Sequence, residues 1–236
     1  MDPIENFVYQ IDSDQSVCIL RYRGSEETVL IPAQIEGRPV KSILQQAFAC
    51  TGIVRISLPE GIERIAPETF ALCESLQHVS LPASVRMISP DAFKGCELLR
   101  EIEFPRGNDY YFVEDGILYD RRVPALVLCP PGLGLETVVV PMGIKTISCG
   151  AFYLNQKLRQ VRLPLSLEKI ESEAFLFTRS LPMIELPPFL REIEPDCFLI
   201  GMEKRFEIYA FPNTVGYRYA LENRIPVHPL YAIVTD

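Results

Sequence analysis

The sequence predicts a right-handed solenoid of short coils, mostly β, with a parallel strand on one side of each coil and short 3-10 or turn segments on the return side. Three observations predict it. A proline, an isoleucine six residues on and a phenylalanine five residues later recur at Pro59/Ile65/Phe70, Pro82/Ile88/Phe93, Pro141/Ile147/Phe152, Pro164/Ile170/Phe175 and Pro187/Ile193/Phe198, and adjacent copies repeat every 23 residues. A fixed period of that size marks a stacked array, because each unit buries its apolar face only against its neighbours. Apolar residues also alternate into each proline, and both chain ends depart from the beat, as caps must.

Taken in order, residues 1–28 form the N-terminal cap: Phe7–Ile11 and Val17–Tyr22 flank Asp12-Ser13-Asp14 and read as a hairpin. Residues 29–105 are a first repeat block. In its clearest coil Leu76, Val79 and Leu81 precede Pro82, and the alternation turns Val79 and Leu81 inward. Proline ends the strand because it cannot donate to the ladder. Val85 and Ile88 then line the return side, and Phe93 fills the corner. Pro32 to Phe48 is 16 residues rather than 11, an insertion of five around positions 35–39.

Residues 106–136 are an inserted segment. Asp115-Gly116 between 111–114 and 117–119 is a two-residue hairpin signal, and Ala125–Leu128 adds a strand before the Pro130-Pro131-Gly132 turn. A second repeat block spans 137–204. Residues 205–236 are the C-terminal cap, with helical spacing over 215–223, Asn213 or Thr214 as N-cap, and a short strand near Ile225-Pro226-Val227. The whole of 1–236 is read as one domain, because a repeat array has one continuous core.

Composition narrows the function. At 48% hydrophobic and 23% charged residues the chain is globular rather than disordered. A net charge of −8 argues against tracking nucleic-acid phosphates, and against an acidic partner surface except at a local basic patch. No run of 18 or more apolar residues is present to span a membrane. Residues 1–6 lack a basic n-region and an apolar h-region, so the chain as written is expected in the cytoplasm. Removal of an export signal would place it outside the cell or on its surface.

The order Leu76, Val79, Leu81, Pro82, Val85, Ile88, Ala92, Phe93, Cys96 resembles the BspA-type leucine-rich repeat family, and 108–119 is similar to the hairpin that interrupts repeats there. The ends 7–24 and 208–226 are similar to its caps. The resemblance implies a leucine-rich repeat solenoid that binds rather than transforms, in bacterial or protist proteins, many of them surface-exposed.

The residues themselves carry little catalytic signal. Of seven cysteines, Cys73 and Cys96 share one repeat position, filled later by Asn155, Thr178 and Gly201. Stacked coils bring such sulfurs within disulfide range. The odd count and the lack of Cys-x-x-Cys favour reduced thiols that bond backbone groups of the next coil. Metal binding finds only His78 nearby, too few ligands. Gly132-Leu133-Gly134 lacks the third glycine and the strand–turn–helix of a phosphate loop. No cofactor, metal or catalytic residue is expected.

Binding is therefore sought on the outer face of the parallel sheet, at the positions four and two before each proline: Thr28/Leu30, Arg55/Ser57, His78/Ser80, Glu101/Glu103, Thr137/Val139, Gln160/Arg162 and Met183/Glu185. Arg55, His78, Glu101, Arg162 and Met183 are the candidate contacts there. Tyr110, Tyr111, Phe112 and Tyr119 are candidate anchors in the inserted hairpin, since aromatics dominate interface energetics. Tyr111 and Phe112 are expected to be replaceable by serine with little loss of stability. The expected function is a non-enzymatic scaffold for an unidentified protein partner, with a carbohydrate- or cell-wall-binding module as the alternative; the oligomeric state stays open.

Overall fold

The structure, a computed structural model, describes residues 4–198 and 205–231. The chain divides into two compact units, one of residues 1–122 with 129–133 and one of 123–128 with 134–236. The boundary falls inside the inserted segment. Gly201 lies outside the described residues.

The first unit opens with the expected cap. Phe7–Ile11 pairs antiparallel with Val17–Tyr22, from Phe7↔Tyr22 to Ile11↔Val17, with a bulge at Val8/Tyr9. Val17–Tyr22 then pairs in parallel with Arg38–Ile43. The five-residue insertion is itself a hairpin, Gln34–Ile35 against Arg38–Ile43, turning at Glu36 and Gly37 with φ of 52° and 73°. The front sheet stacks Thr28–Leu30, Arg55–Ser57, His78–Ser80 and Glu101–Glu103 in parallel and in register. Each strand buries its central residue, Val29, Ile56, Val79 or Ile102, and turns the flanking pair outward. The residue before each proline makes the last bond of the ladder: Leu58 N–H donates to Ser80 O at 3.0 Å and Leu81 N–H to Glu103 O at 2.9 Å.

The return side holds the expected turns and adds two-residue strands between them. Arg64–Ile65 and Met87–Ile88 form a second, narrow parallel sheet. Among the described residues, 3-10 helix is confined to Ile4–Asn6 and Pro131–Leu133. The apolar pair of each return side is what makes this sheet, because Ile65 and Ile88 are buried and their backbones meet at coil spacing.

Phenylalanines of successive coils stack into a ladder. Ring centroids lie 5.2 Å apart for Phe7/Tyr22, 5.4 Å for Tyr22/Phe48, 5.6 Å for Phe48/Phe70 and 5.3 Å for Phe70/Phe93. Each ring buried this way contributes about 1.5–3 kcal/mol by area, with a further increment from stacking. The residue two after each phenylalanine is left-handed in every described coil: Cys50, Leu72, Gly95, Leu154 and Phe177 have φ of 58°, 58°, 81°, 62° and 61°. That kink turns the chain back toward the next strand.

The second unit repeats the plan. Its return sheet runs Ala125–Leu128, Thr146–Ile147, Lys169–Ile170, Glu192–Ile193, all parallel. In front, Thr137–Val139 pairs with Gln160–Arg162, and Met183–Leu186 with Glu207–Ala210 and then Val227–Pro229. Phe152, Phe175, Phe198 and Phe206 form a ring ladder of this unit's own, at 4.9, 5.0 and 5.5 Å. The helix Val215–Glu222 begins at Thr214, whose hydroxyl accepts the Tyr217 N–H, as an N-cap should. Its Tyr219 closes the stack edge-on against Phe198.

Candidate functional site

The front sheet of the first unit carries two outward rows set by its register. Thr28, Arg55, His78 and Glu101 form one; Leu30, Ser57, Ser80 and Glu103 form the other. Together they line a shallow depression of about 240 Å³. His78 is the least exposed of the charged candidates, with 18% of its side chain accessible. Its Nδ1 pairs with Glu101 Oε2, and its Nε2 lies 3.5 Å from Arg100 Nη2. The two contacts fix the orientation of the ring. Neither the Ser57 nor the Ser80 hydroxyl hydrogen-bonds the His78 ring among the described residues.

The second unit presents Thr137/Val139 and Gln160/Arg162 in paired rows. Arg162 and Met183 sit together at a wider depression of about 560 Å³, whose lining includes Arg159, Gln160 and Glu185. Arg159 also borders a neighbouring hollow of about 540 Å³ with Arg179, Ser180 and Pro182. Arg159 and Arg179 were not among the sequence candidates, because they precede the strands rather than alternate within them. Charge alone could have flagged them.

The hairpin Tyr111–Glu114 with Ile117–Asp120 forms as expected, with Phe112 opposite Tyr119 and positive φ at Asp115 and Gly116. Its aromatics divide. Tyr111 and Tyr119 are only 3% and 2% exposed and are core, so they are not anchors for a partner. Tyr111 lies over Phe104 at 6.3 Å, its hydroxyl accepts the Ile88 N–H at 2.9 Å, and Arg122 donates to it at 3.1 Å. Burial pushes the phenols of both tyrosines up. Phe112 and Tyr110 remain half-buried, each covered by a guanidinium: Arg121 is 4.4 Å from the Phe112 centroid and Arg122 4.8 Å from that of Tyr110.

The hairpin is held by Asn108, a residue sequence reasoning passed over. Its side-chain amide donates to Val85 O at 2.8 Å and Ala83 O at 3.1 Å, while its oxygen accepts the N–H groups of Tyr110 and Tyr111 at 2.8 and 2.9 Å. Gly132 has a packing role: a Cβ there would lie 2.4 Å from Leu98 O. Cys73 and Cys96 are thiols, donating to the carbonyls of Phe48 and Phe70 in the preceding coil at 3.0 and 3.1 Å. Among the described residues no three His, Cys, Asp or Glu side chains converge as a metal site requires, and no helix is long and apolar enough to cross a membrane.

Six copies of the BspA type leucine rich repeat region match residues 30–115 and 132–219. The chain belongs to this family. Family and fold are those of leucine-rich repeat proteins, generally non-enzymatic scaffolds. A leucine-rich repeat protein of Eubacterium ventriosum is similar in structure, with a TM-score of 0.65 at 19% identity over 74% of this chain and 46% of that one. This chain thus spans less than half of that relative. The pneumococcal vaccine antigen PcpA gives 0.53 at 16% identity, over 96% of this chain and 83% of its own. A leucine-rich cell surface protein of Faecalibacterium prausnitzii gives 0.50 at 15%, over 97% and 94%. At these identities the likeness is one of fold. No curated protein matches the sequence.

Proposed function

We propose that this BspA-type scaffold is a non-enzymatic binding module that presents the outer faces of its front sheets to a protein partner. One observation carries the reading. Core positions repeat coil after coil, whereas the outward positions do not: Thr28, Arg55, His78 and Glu101 share one row and no chemistry. A face freed from the repeat is where specificity has room to be written. Arg55, His78, Glu101, Arg162 and Met183 remain the contact candidates, with Tyr110 and Phe112 at the hairpin. Neither front depression is lined by an aromatic ring, which the carbohydrate alternative requires. The cell surface and the cytoplasm are both compartments in which such a partner is to be sought, and the Faecalibacterium neighbour is a cell surface protein.

A photo-crosslinking residue placed at Ser57 or Gln160 on the front, and at Glu63 or Glu192 on the return side, tests the reading in native lysate. Discrete protein adducts from the front positions alone are expected. Equal labelling from both sides, or none from the front, rejects it.

A further inference from the structure

We infer that the front of the second unit is a dock for an acidic segment of the protein partner, gripped by Arg159, Arg162 and Arg179 over an apolar floor at Met183 and Pro182. The inference rests on the protein-binding reading above. It starts from charge: the chain has 31 acidic and 23 basic residues, so an unneutralised basic cluster runs against its composition. Bases on the return side of this unit are paired. Lys145 meets Glu168 at 3.0 Å, Arg191 meets Glu168 at 3.1 Å, and Lys169 meets Glu194 at 2.5 Å. The front differs. The side chains of Arg162 and Arg179 make no ion pair or hydrogen bond among the described residues. Arg159 reaches only Glu136, at 3.9 Å, with both side chains about 70% exposed (70% and 69%), a pairing that water largely screens.

Geometry joins the three. The two hollows of about 560 and 540 Å³ share Arg159 and Pro182, so one runs into the other. Arg162 lines the first with Met183, and Arg179 lines the second. Arginine forks accept carboxylates side-on and lose little solvation in doing so, and Met adapts to an apolar side chain between them. The occupant with that spacing of charge and grease is an extended peptide carrying alternating carboxylate and apolar residues. A nucleic-acid strand fits less well. Among the described residues neither hollow offers a ring for base stacking.

The test is fluorescence anisotropy with a labelled short peptide of alternating Glu and Leu, beside its Lys counterpart, heparin and single-stranded DNA. The Glu peptide is expected to bind at low ionic strength and weaken with salt. R159E/R162E/R179E should lose at least about ten-fold in affinity, the corresponding triple Gln variant should lose less, and Arg86→Glu on the return side of the first unit should lose nothing. Unchanged melting of the variants confirms that folding is intact. No binding, equal binding by the triple variant, or tighter capture of heparin or DNA overturns the inference. Crosslinking from Ser57 separates the two claims: if front adducts persist while the acidic peptide fails, the scaffold reading stands and the acidic dock does not.

Discussion

The hydroxyl of Tyr111 accepts the backbone N–H of Ile88, one repeat period earlier, at 2.9 Å. Ile88 belongs to the narrow return sheet, and Tyr111 supplies an acceptor where the next coil would have offered a carbonyl. Tyr111→Phe leaves that buried N–H unpaired and should cost about 1–3 kcal/mol, whereas Tyr111→Ser also empties the ring site and should cost about 3–5 kcal/mol. Phe112→Ser, at a half-buried ring, should cost about 1 kcal/mol or less. Urea unfolding of the three variants gives this order; equal, small losses would return Tyr111 to the surface.

Asn108 closes four polar contacts at the hairpin base, beside a longer fifth to Pro82 O at 3.5 Å, a carbonyl that the Val85 N–H also reaches. Asn108→Ala should destabilise by about 2–3 kcal/mol, since two carbonyls and two N–H groups lose their partner at once. Hydrogen exchange localises the effect: the amides of Tyr110 and Tyr111 should lose protection before those of the front sheet. Uniform loss across the unit would contradict this local role.

The thiols respond to pH with a definite sign. Burial holds the thiol of Cys197 up to about 12 and raises those of Cys73 and Cys96, and likewise the phenols of Tyr119 and Tyr219. In the unfolded chain these groups lose protons near their ordinary values, about 9 for thiols and about 10 for phenols. Stability from them is therefore fully present below about pH 9 and declines as pH rises toward the folded values. Melting temperature should stay level from pH 7 to about 8.5 and fall steadily above it. With a thiol reagent at neutral pH, exposed Cys50 should react at once, and Cys73, Cys96 and Cys197 only on unfolding.

The left-handed residue after each phenylalanine can be tuned in both directions. Leu72 holds φ of 58° while 56% exposed, so it carries strain with little burial in return. Leu72→Gly should be stabilising by about 0.5 kcal/mol, the relief of left-handed strain outweighing the entropy of glycine. Gly95→Ala, at φ of 81° with its new Cβ 2.8 Å from Leu72 Cδ2, should lose about 1–2 kcal/mol. The two urea midpoints should move in opposite directions.

Most of the architecture was readable because periodicity is local. Pro59, Ile65 and Phe70 announce strand stop, return-side core and corner ring before any coordinate is known, and the caps follow from where that beat fails. The burial of Tyr111 was readable too: it lies six residues after Pro105, the spacing that puts Ile88 after Pro82, and Asn108 takes the place of Val85. The hairpin signal of Asp115-Gly116 masks that spacing, because it marks 111–119 as an insertion rather than as part of a coil. The small hairpin at Glu36-Gly37 was seen only as inserted length, since its first strand has two residues and no alternation to betray it.

Repeat spacing alone thus specified the coil, its core and the residues turned outward, because each depends on neighbours at fixed intervals along the chain. Which outward residues share a surface depended on side chains meeting across coils. His78 finds Glu101 and Arg100 within its own face. Among the described residues the side chains of Arg162 and Arg179 pair with no acid, and Arg159 joins them around two connected hollows. Those encounters are set by three-dimensional proximity, which charge counted along the sequence averages away.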